Sequence, residues 1–125
     1  MSPRAAGATQ HELSRIGLLA TLPGETLARL AQRMTREEIP AGRGVVEEGE
    51  SGERFYVVLS GMLTVSQRSR GAQSVLRPGD YFGEVALAMD MPRTASVRAL
   101  TPVTVASCDL ETFDEFVRPL FADDH

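Results

Sequence analysis

The chain has no lysine and no tryptophan, a single cysteine, and histidine only at positions 11 and 125. Each shortage closes a class of chemistry. Cys108 has no partner for an intramolecular disulfide, and a lone thiol fits a reducing compartment. With His11 and His125 at opposite ends, no interior histidine is left for a cupin-like metal site, a Ser/His/Asp triad or a Cys/His pair. Adjacent carboxylates such as Glu47 and Glu48 fall on a strand and its turn, so they point to opposite faces and make no acid/base pair. Neither an enzyme nor a bound metal is expected. No apolar run approaches the roughly 18 residues of a membrane span. Met1–Thr9 is rich in Ala and Gly and lacks the apolar core of a signal peptide. A cytoplasmic protein with no membrane contact is therefore expected. The net charge of −4, with every cation an arginine, argues against nucleic acid as a partner. No residues remain after the last strands for a helix-turn-helix.

What is present is enough for one domain. A chain of 125 residues, 42% apolar and 24% charged, buries roughly two thirds of its unfolded surface. Residues 1–9 read as a flexible tail and 119–125 as a short acidic one, leaving 10–118 as the folded domain. Within it, helices are expected over 10–34. Leu13, Ile16 and Leu19 recur at three-residue spacing with Leu18 beside them, which suggests a first short helix from His11 to Leu19. Leu27, Leu30, Ala31 and Met34 make the apolar face of a second, with Arg29, Arg33 and Arg36 outside.

From Thr35 the period changes to two. Glu37–Ile39, Val45–Glu47, Arg54–Leu59, Met62–Ser66, Ser74–Leu76, Ala95–Leu100 and Val103–Cys108 read as short strands separated by turns rich in Gly and Pro. Ser69–Ala72 reads as a hairpin tip. Short strands with turns every eight to twelve residues indicate an antiparallel roll or sandwich over 35–108. Asp109 is a good N-cap for a closing helix over 109–118, striped by Leu110, Phe113, Phe116 and Val117 and ended or bent by Arg118-Pro119. The fold class expected is mainly β: an antiparallel β-roll of jelly-roll type with N-terminal helices and a C-terminal helix.

One stretch carries chemistry. Pro78-Gly79-Asp80 is a turn, Phe82-Gly83-Glu84 leads into the apolar run Val85–Ala88, Met91-Pro92 stops any helix, and Arg93 begins an extended segment. A glycine before a helical turn lets the backbone approach a ligand, and the first amides of that turn have no intrahelical acceptor. Those amides and the helix dipole favour an anion. Arg93 returns after the loop with a planar, permanently charged fork for phosphate oxygens. Glu84 would repel a phosphate, so it is expected to face away from one and accept hydrogen bonds from neutral hydroxyls such as those of a ribose.

At these residues the chain resembles the cyclic nucleotide-binding domain family, whose phosphate-binding cassette reads much like Phe82–Leu87 followed by Arg93–Val97. The resemblance runs over about residues 11–118. It implies that Glu84 binds the ribose 2′-hydroxyl, that Arg93 binds the cyclic phosphate, and that the amides of Gly83, Val85, Ala86 and Ala95 complete the cradle. Thr94 resembles the position at which cGMP-selective members carry a hydroxyl, but bacterial cAMP receptors carry one too, so cAMP and cGMP both stand. The function implied is a cyclic nucleotide sensor whose flanking helices repack with ligand, with an unknown output partner and a homodimer as a candidate assembly. Two alternatives are a β-roll that serves assembly without nucleotide and a regulatory piece of a larger channel, transporter or enzyme. Leu120 and Phe121 are a candidate lid over the base. Arg54 reads as a solvated strand residue, with contact to Glu84 or the ligand as the alternative, the aromatics read as core, and Cys108 as a small buried hydrophobe.

Overall fold

A computed structural model of the protein describes residues 7–122, without the side chains of Gln73 and Ala122. Met1–Ala6 of the expected tail, and Asp123, Asp124 and His125 of the acidic one, lie outside the described residues. The described part of the N-terminal tail is not loose. Ala8 is buried, and Thr9 is the N-cap of α1 (Gln10–Ser14), accepting from the Glu12 amide while Glu12 reaches back to the Thr9 amide.

The first helix is shorter than its apolar spacing suggests. It ends at Ser14, and the chain goes on through tight turns in which Ile16 donates to Leu13, Leu19 to Ile16 and Leu22 to Leu19. A spacing of three matches turns bonded at i to i+3 better than a 3.6-residue helix, and Leu13, Ile16 and Leu19 all stay buried. The next helix, α2 (Gly24–Gln32), buries Leu27, Leu30 and Ala31 as its pattern requires.

Eight strands follow: β1 (Thr35–Ile39), β2 (Gly44–Val46), β3 (Arg54–Ser60), β4 (Leu63–Gln67), β5 (Gly71–Leu76), β6 (Tyr81–Phe82), β7 (Ser96–Ala99) and β8 (Val103–Asp109). They pair antiparallel in two four-stranded sheets, ordered β1-β8-β3-β6 and β2-β7-β4-β5. This is the expected β-roll. The hairpin tip differs slightly, because Gly71 and Ala72 pair with Gln67 and Ser66 inside β5.

β3 explains why the chain has two cores. Tyr56 and Val58 point between the sheets, where they meet Ile39, Leu63, Val97 and Val105. Phe55 and Val57 point the other way, into a layer made with Leu13, Leu30, Ala106, Cys108 and Phe113. A strand covered on both faces reads as a continuous apolar run, which is what Phe55–Val58 is. The helices are thus packed on the outer face of one sheet, with Phe55 and Phe113 rings 5.4 Å apart.

The C-terminal segment departs most from expectation. Asp109 caps it, accepting from the Thr112 amide at 2.9 Å. It runs through α4 (Leu110–Thr112), a π-helical turn (Phe113–Val117) and α5 (Arg118–Ala122). Pro119 does not end it. The wider turn resets the hydrogen-bond register at Arg118, so Pro119 falls in a new first turn, where its missing N–H costs nothing.

Candidate functional site

Helix α3 (Glu84–Met89) stands between β6 and the extended chain that carries Arg93. Its N-cap, Gly83, has φ 97°, a left-handed conformation that a Cβ would strain, and that Cβ would lie 2.7 Å from the Arg54 carbonyl oxygen. The helix stops one residue earlier than the proline suggests. Asp90 takes φ 51°, and both it and Met91 donate to the Ala86 carbonyl.

Arg93 is held from both sides. Its amide donates to the Glu50 carbonyl at 2.8 Å, its carbonyl accepts from the Gly49 amide at 2.9 Å, and Pro92 bridges to Ser51. These bonds tie the loop after β2 to the strand that follows the cassette. Gly52 makes the approach possible, since a Cβ there would lie 2.3 Å from the Ala86 Cβ and 3.0 Å from the Arg93 guanidinium.

The Arg93 side chain is 8% exposed. It donates from Nη1 to the Gly83 carbonyl at 3.3 Å and from Nη2 to the Arg54 carbonyl at 3.0 Å. Among the described residues no carboxylate lies within ion-pair distance of it. Burial pushes its pKa down from the ordinary guanidinium value, partly offset by Tyr56, Glu50 and Glu84 nearby. It still carries its charge at any ordinary pH. A buried cation without a counter-ion is costly to fold around, and its remaining donors are free to meet an anion.

A cavity of about 220 Å³ opens beside it, lined by Tyr81, Phe82, Gly83, Glu84, Val85, Ala86, Arg93, Thr94 and Ala95, with Val46, Val65 and Val97 as an apolar wall. All seven residues expected from sequence, Gly83, Glu84, Val85, Ala86, Arg93, Thr94 and Ala95, therefore line one cavity. Glu84 is half-buried and makes no ion pair with Arg93, so the two are not a surface salt bridge. A larger cavity, about 410 Å³, lies between α1 and Pro78-Gly79, but His11 and Arg15 there are exposed and Glu12 is already held by Arg36. Volume alone does not mark the site.

The Cyclic nucleotide-binding domain family matches residues 36–119. The chain belongs to that family. It is 39% identical over 107 residues to the cAMP-dependent protein kinase regulatory subunit of Debaryomyces hansenii, covering 86% of this chain and 24% of that one. It is 32% identical over 114 residues to a cGMP-dependent protein kinase of Caenorhabditis briggsae, covering 86% of this chain and 15% of that one. Among solved structures, the regulatory domain of Toxoplasma gondii protein kinase A with cAMP superposes with a TM-score of 0.84 at 25% identity, over 89% of this chain and 44% of that one. The chain spans a quarter or less of these curated relatives.

Sequence reasoning missed several contributors to this candidate site. Arg54 is not simply solvated: its carbonyl receives Arg93, and its side chain donates to Ser107 at 2.9 Å and Thr35 at 3.3 Å across three strands. Gln67 Nε2 donates to the Thr94 carbonyl at 3.0 Å and so steadies the residue after Arg93. Gly52 had a legible signal, a glycine at the end of a turn, but its neighbour Ala86 is far away in sequence. Leu120 and Phe121 do not line the cavity. Both pack into the helical layer, Phe121 with its ring 5.9 Å from Tyr81 and 6.3 Å from Phe113, so they form no lid in this conformation.

Proposed function

We propose that this chain reversibly binds cAMP or cGMP as a regulatory ligand, making and breaking no covalent bond. The observation that carries the proposal is Arg93, a buried guanidinium with no carboxylate partner among the described residues, lining one cavity with Glu84 and the first turn of α3. In this reading Arg93 takes the exocyclic phosphate oxygens, and the amides of Gly83, Val85, Ala86 and Ala95 take part in the cradle. Glu84, beyond the phosphate, accepts from the ribose 2′-hydroxyl. The Val46, Val65 and Val97 wall gives the base an apolar surface, with the Thr94 hydroxyl at the mouth. Some relatives are named for cAMP and another for cGMP, which leaves the base open.

An output domain or kinase-like partner is part of the same proposal, since the kinase regulatory subunit and the kinase among these relatives are several times longer than this chain. Titration calorimetry of the purified chain with cAMP and, separately, cGMP tests the core of it. Micromolar or tighter binding of either supports the reading and ranks the bases. No heat at concentrations above about 0.1 mM, which would put binding weaker than about −5 kcal/mol, refutes it.

A further inference from the structure

The phosphate end of α3 is its N-terminus, yet its other end is held by a residue that the site has not used. A six-residue helix leaves its last carbonyls without intrahelical donors. Here the Ala86 carbonyl is met locally by the Asp90 and Met91 amides, but the next two are met from a distance. Arg118 donates from Nη2 to the Leu87 carbonyl and from Nη1 to the Ala88 carbonyl, both at 3.2 Å. The same guanidinium pairs through Nε with Asp114 Oδ1 at 2.6 Å and sits 5.4 Å from the centre of the Phe113 ring. One planar cation thus joins the C-terminal end of α3 to two residues of the π-helical turn. Its sign is right as well, because a positive charge complements the negative end of a helix dipole.

We infer that Arg118 is a positioning residue for the cyclic nucleotide site, holding α3 in the place where its first turn and Arg93 face one cavity and passing ligand-induced order to the C-terminal helix. The inference rests on the cyclic nucleotide reading above. The geometry makes α3 a short strut. At one end Gly83 meets Arg93, and at the other Leu87 and Ala88 meet Arg118. Leu87 itself is buried in the same layer as Phe113 and Val117, so the strut has an apolar hold as well as a polar one. Release of the polar hold lets α3 sample positions in which the cradle is not assembled, and apparent affinity falls by the fraction assembled. By linkage, whatever the latch contributes to ligand affinity the ligand returns to the latch. The charged groups facing this point are Asp114 on the C-terminal segment and no others within ion-pair distance among the described residues.

The test compares Arg118→Met, which keeps the aliphatic cover of Phe113 and removes every donor, with Asp114→Asn, which weakens the ion pair and leaves both carbonyl contacts. Affinity for cAMP and cGMP is measured by calorimetry, and amide hydrogen exchange is followed at residues 85–89 and 113–121 with and without ligand. In the wild-type protein ligand should slow exchange in both segments. In Arg118→Met affinity should weaken about three- to tenfold, and ligand should still slow exchange at 85–89 but no longer at 113–121. Asp114→Asn should keep both responses. A role in stability alone would lower the melting temperature while leaving the response of 113–121 in place, so a retained response there overturns the inference whatever the affinity. If the wild-type protein answers neither nucleotide, the binding reading fails separately and the ligand-free exchange decides. Faster exchange of both segments in Arg118→Met then supports the latch, and a change confined to 113–121 overturns it.

Discussion

Replacing Arg93 by methionine separates a ligand-binding cation from a structural one. The substitution keeps most of the buried aliphatic volume and removes the charge and every donor. A charge-assisted hydrogen bond nets about 1.5–3 kcal/mol. At about 1.4 kcal/mol per factor of ten, affinity for the cyclic nucleotide should fall about ten- to a hundredfold or more. Stability without ligand should behave differently. Two carbonyls, of Gly83 and Arg54, lose a donor at about 1 kcal/mol each. Against that, a buried guanidinium with no counter-ion among the described residues is removed, and its desolvation cost of a few kcal/mol goes with it. The two nearly cancel, so the ligand-free melting temperature should move by no more than about 5 °C. Calorimetry with both nucleotides and a thermal melt of the free protein give the two numbers. Wild-type affinity in Arg93→Met would refute the site. A melting temperature lowered by much more than 5 °C with affinity intact would make Arg93 part of the scaffold instead.

Three further outcomes are expected. Gly52→Ala would set a Cβ 2.3 Å from the Ala86 Cβ and should cost about 1–3 kcal/mol while weakening ligand binding. Gly61→Ala, where φ is +83° and the Cβ would lie 2.2 Å from the Pro102 carbonyl oxygen, should destabilise without changing affinity; equal affinities in the two variants would show that Gly52 has no special tie to α3. Cys108 is fully buried, and burial pushes its thiol pKa up to about 12. A thiol-disulfide reagent should therefore label the native chain only as fast as it opens, and prompt labelling at pH 8 would contradict the packing around it. Because that folded pKa is raised, the neutral thiol's contribution is full below its ordinary value near about 8.5 and is lost as the pH climbs toward about 12. At the acid end, Glu12 is held below the usual carboxylate range chiefly by its bond to Arg36, and Asp109 by the Thr112 amide. Depressed folded values stabilise above the unfolded pKa and lose that as the pH falls through the folded one, so melting temperature should drop below about pH 4. The drop should be shallower in Asp109→Asn, and an unchanged slope would exclude Asp109 from it.

The amino-acid sequence by itself determined the class of fold and the local stretch that lines one side of the cavity. Alternation along Met62–Ser66, the apolar run Phe55–Val58 and the spaced turns are local patterns, and a period of two leaves little choice but strands. The order Gly83, Glu84, apolar turn, proline, Arg93 is local as well, which is why all seven expected residues line the same cavity. Single-residue spacing misled where two helical geometries share a period: Leu13, Ile16 and Leu19 stay buried in three-residue turns as well as they would in a helix. Pro119 misled for the opposite reason, since only a π-helical turn upstream makes its missing donor harmless.

Tertiary structure decided everything that depends on residues far apart in the chain. That Arg93 lacks a counter-ion among the described residues depends on where folding leaves their carboxylates. That Gly52 touches Ala86, that Arg54 offers its carbonyl to Arg93, and that Arg118 takes the Leu87 and Ala88 carbonyls are contacts across 30 to 39 residues. No periodicity records such pairs, because it reports which face of an element is apolar and not what meets that face. The sequence names the groups that can hold a phosphate. Folding alone fixes how firmly they are held, and by what.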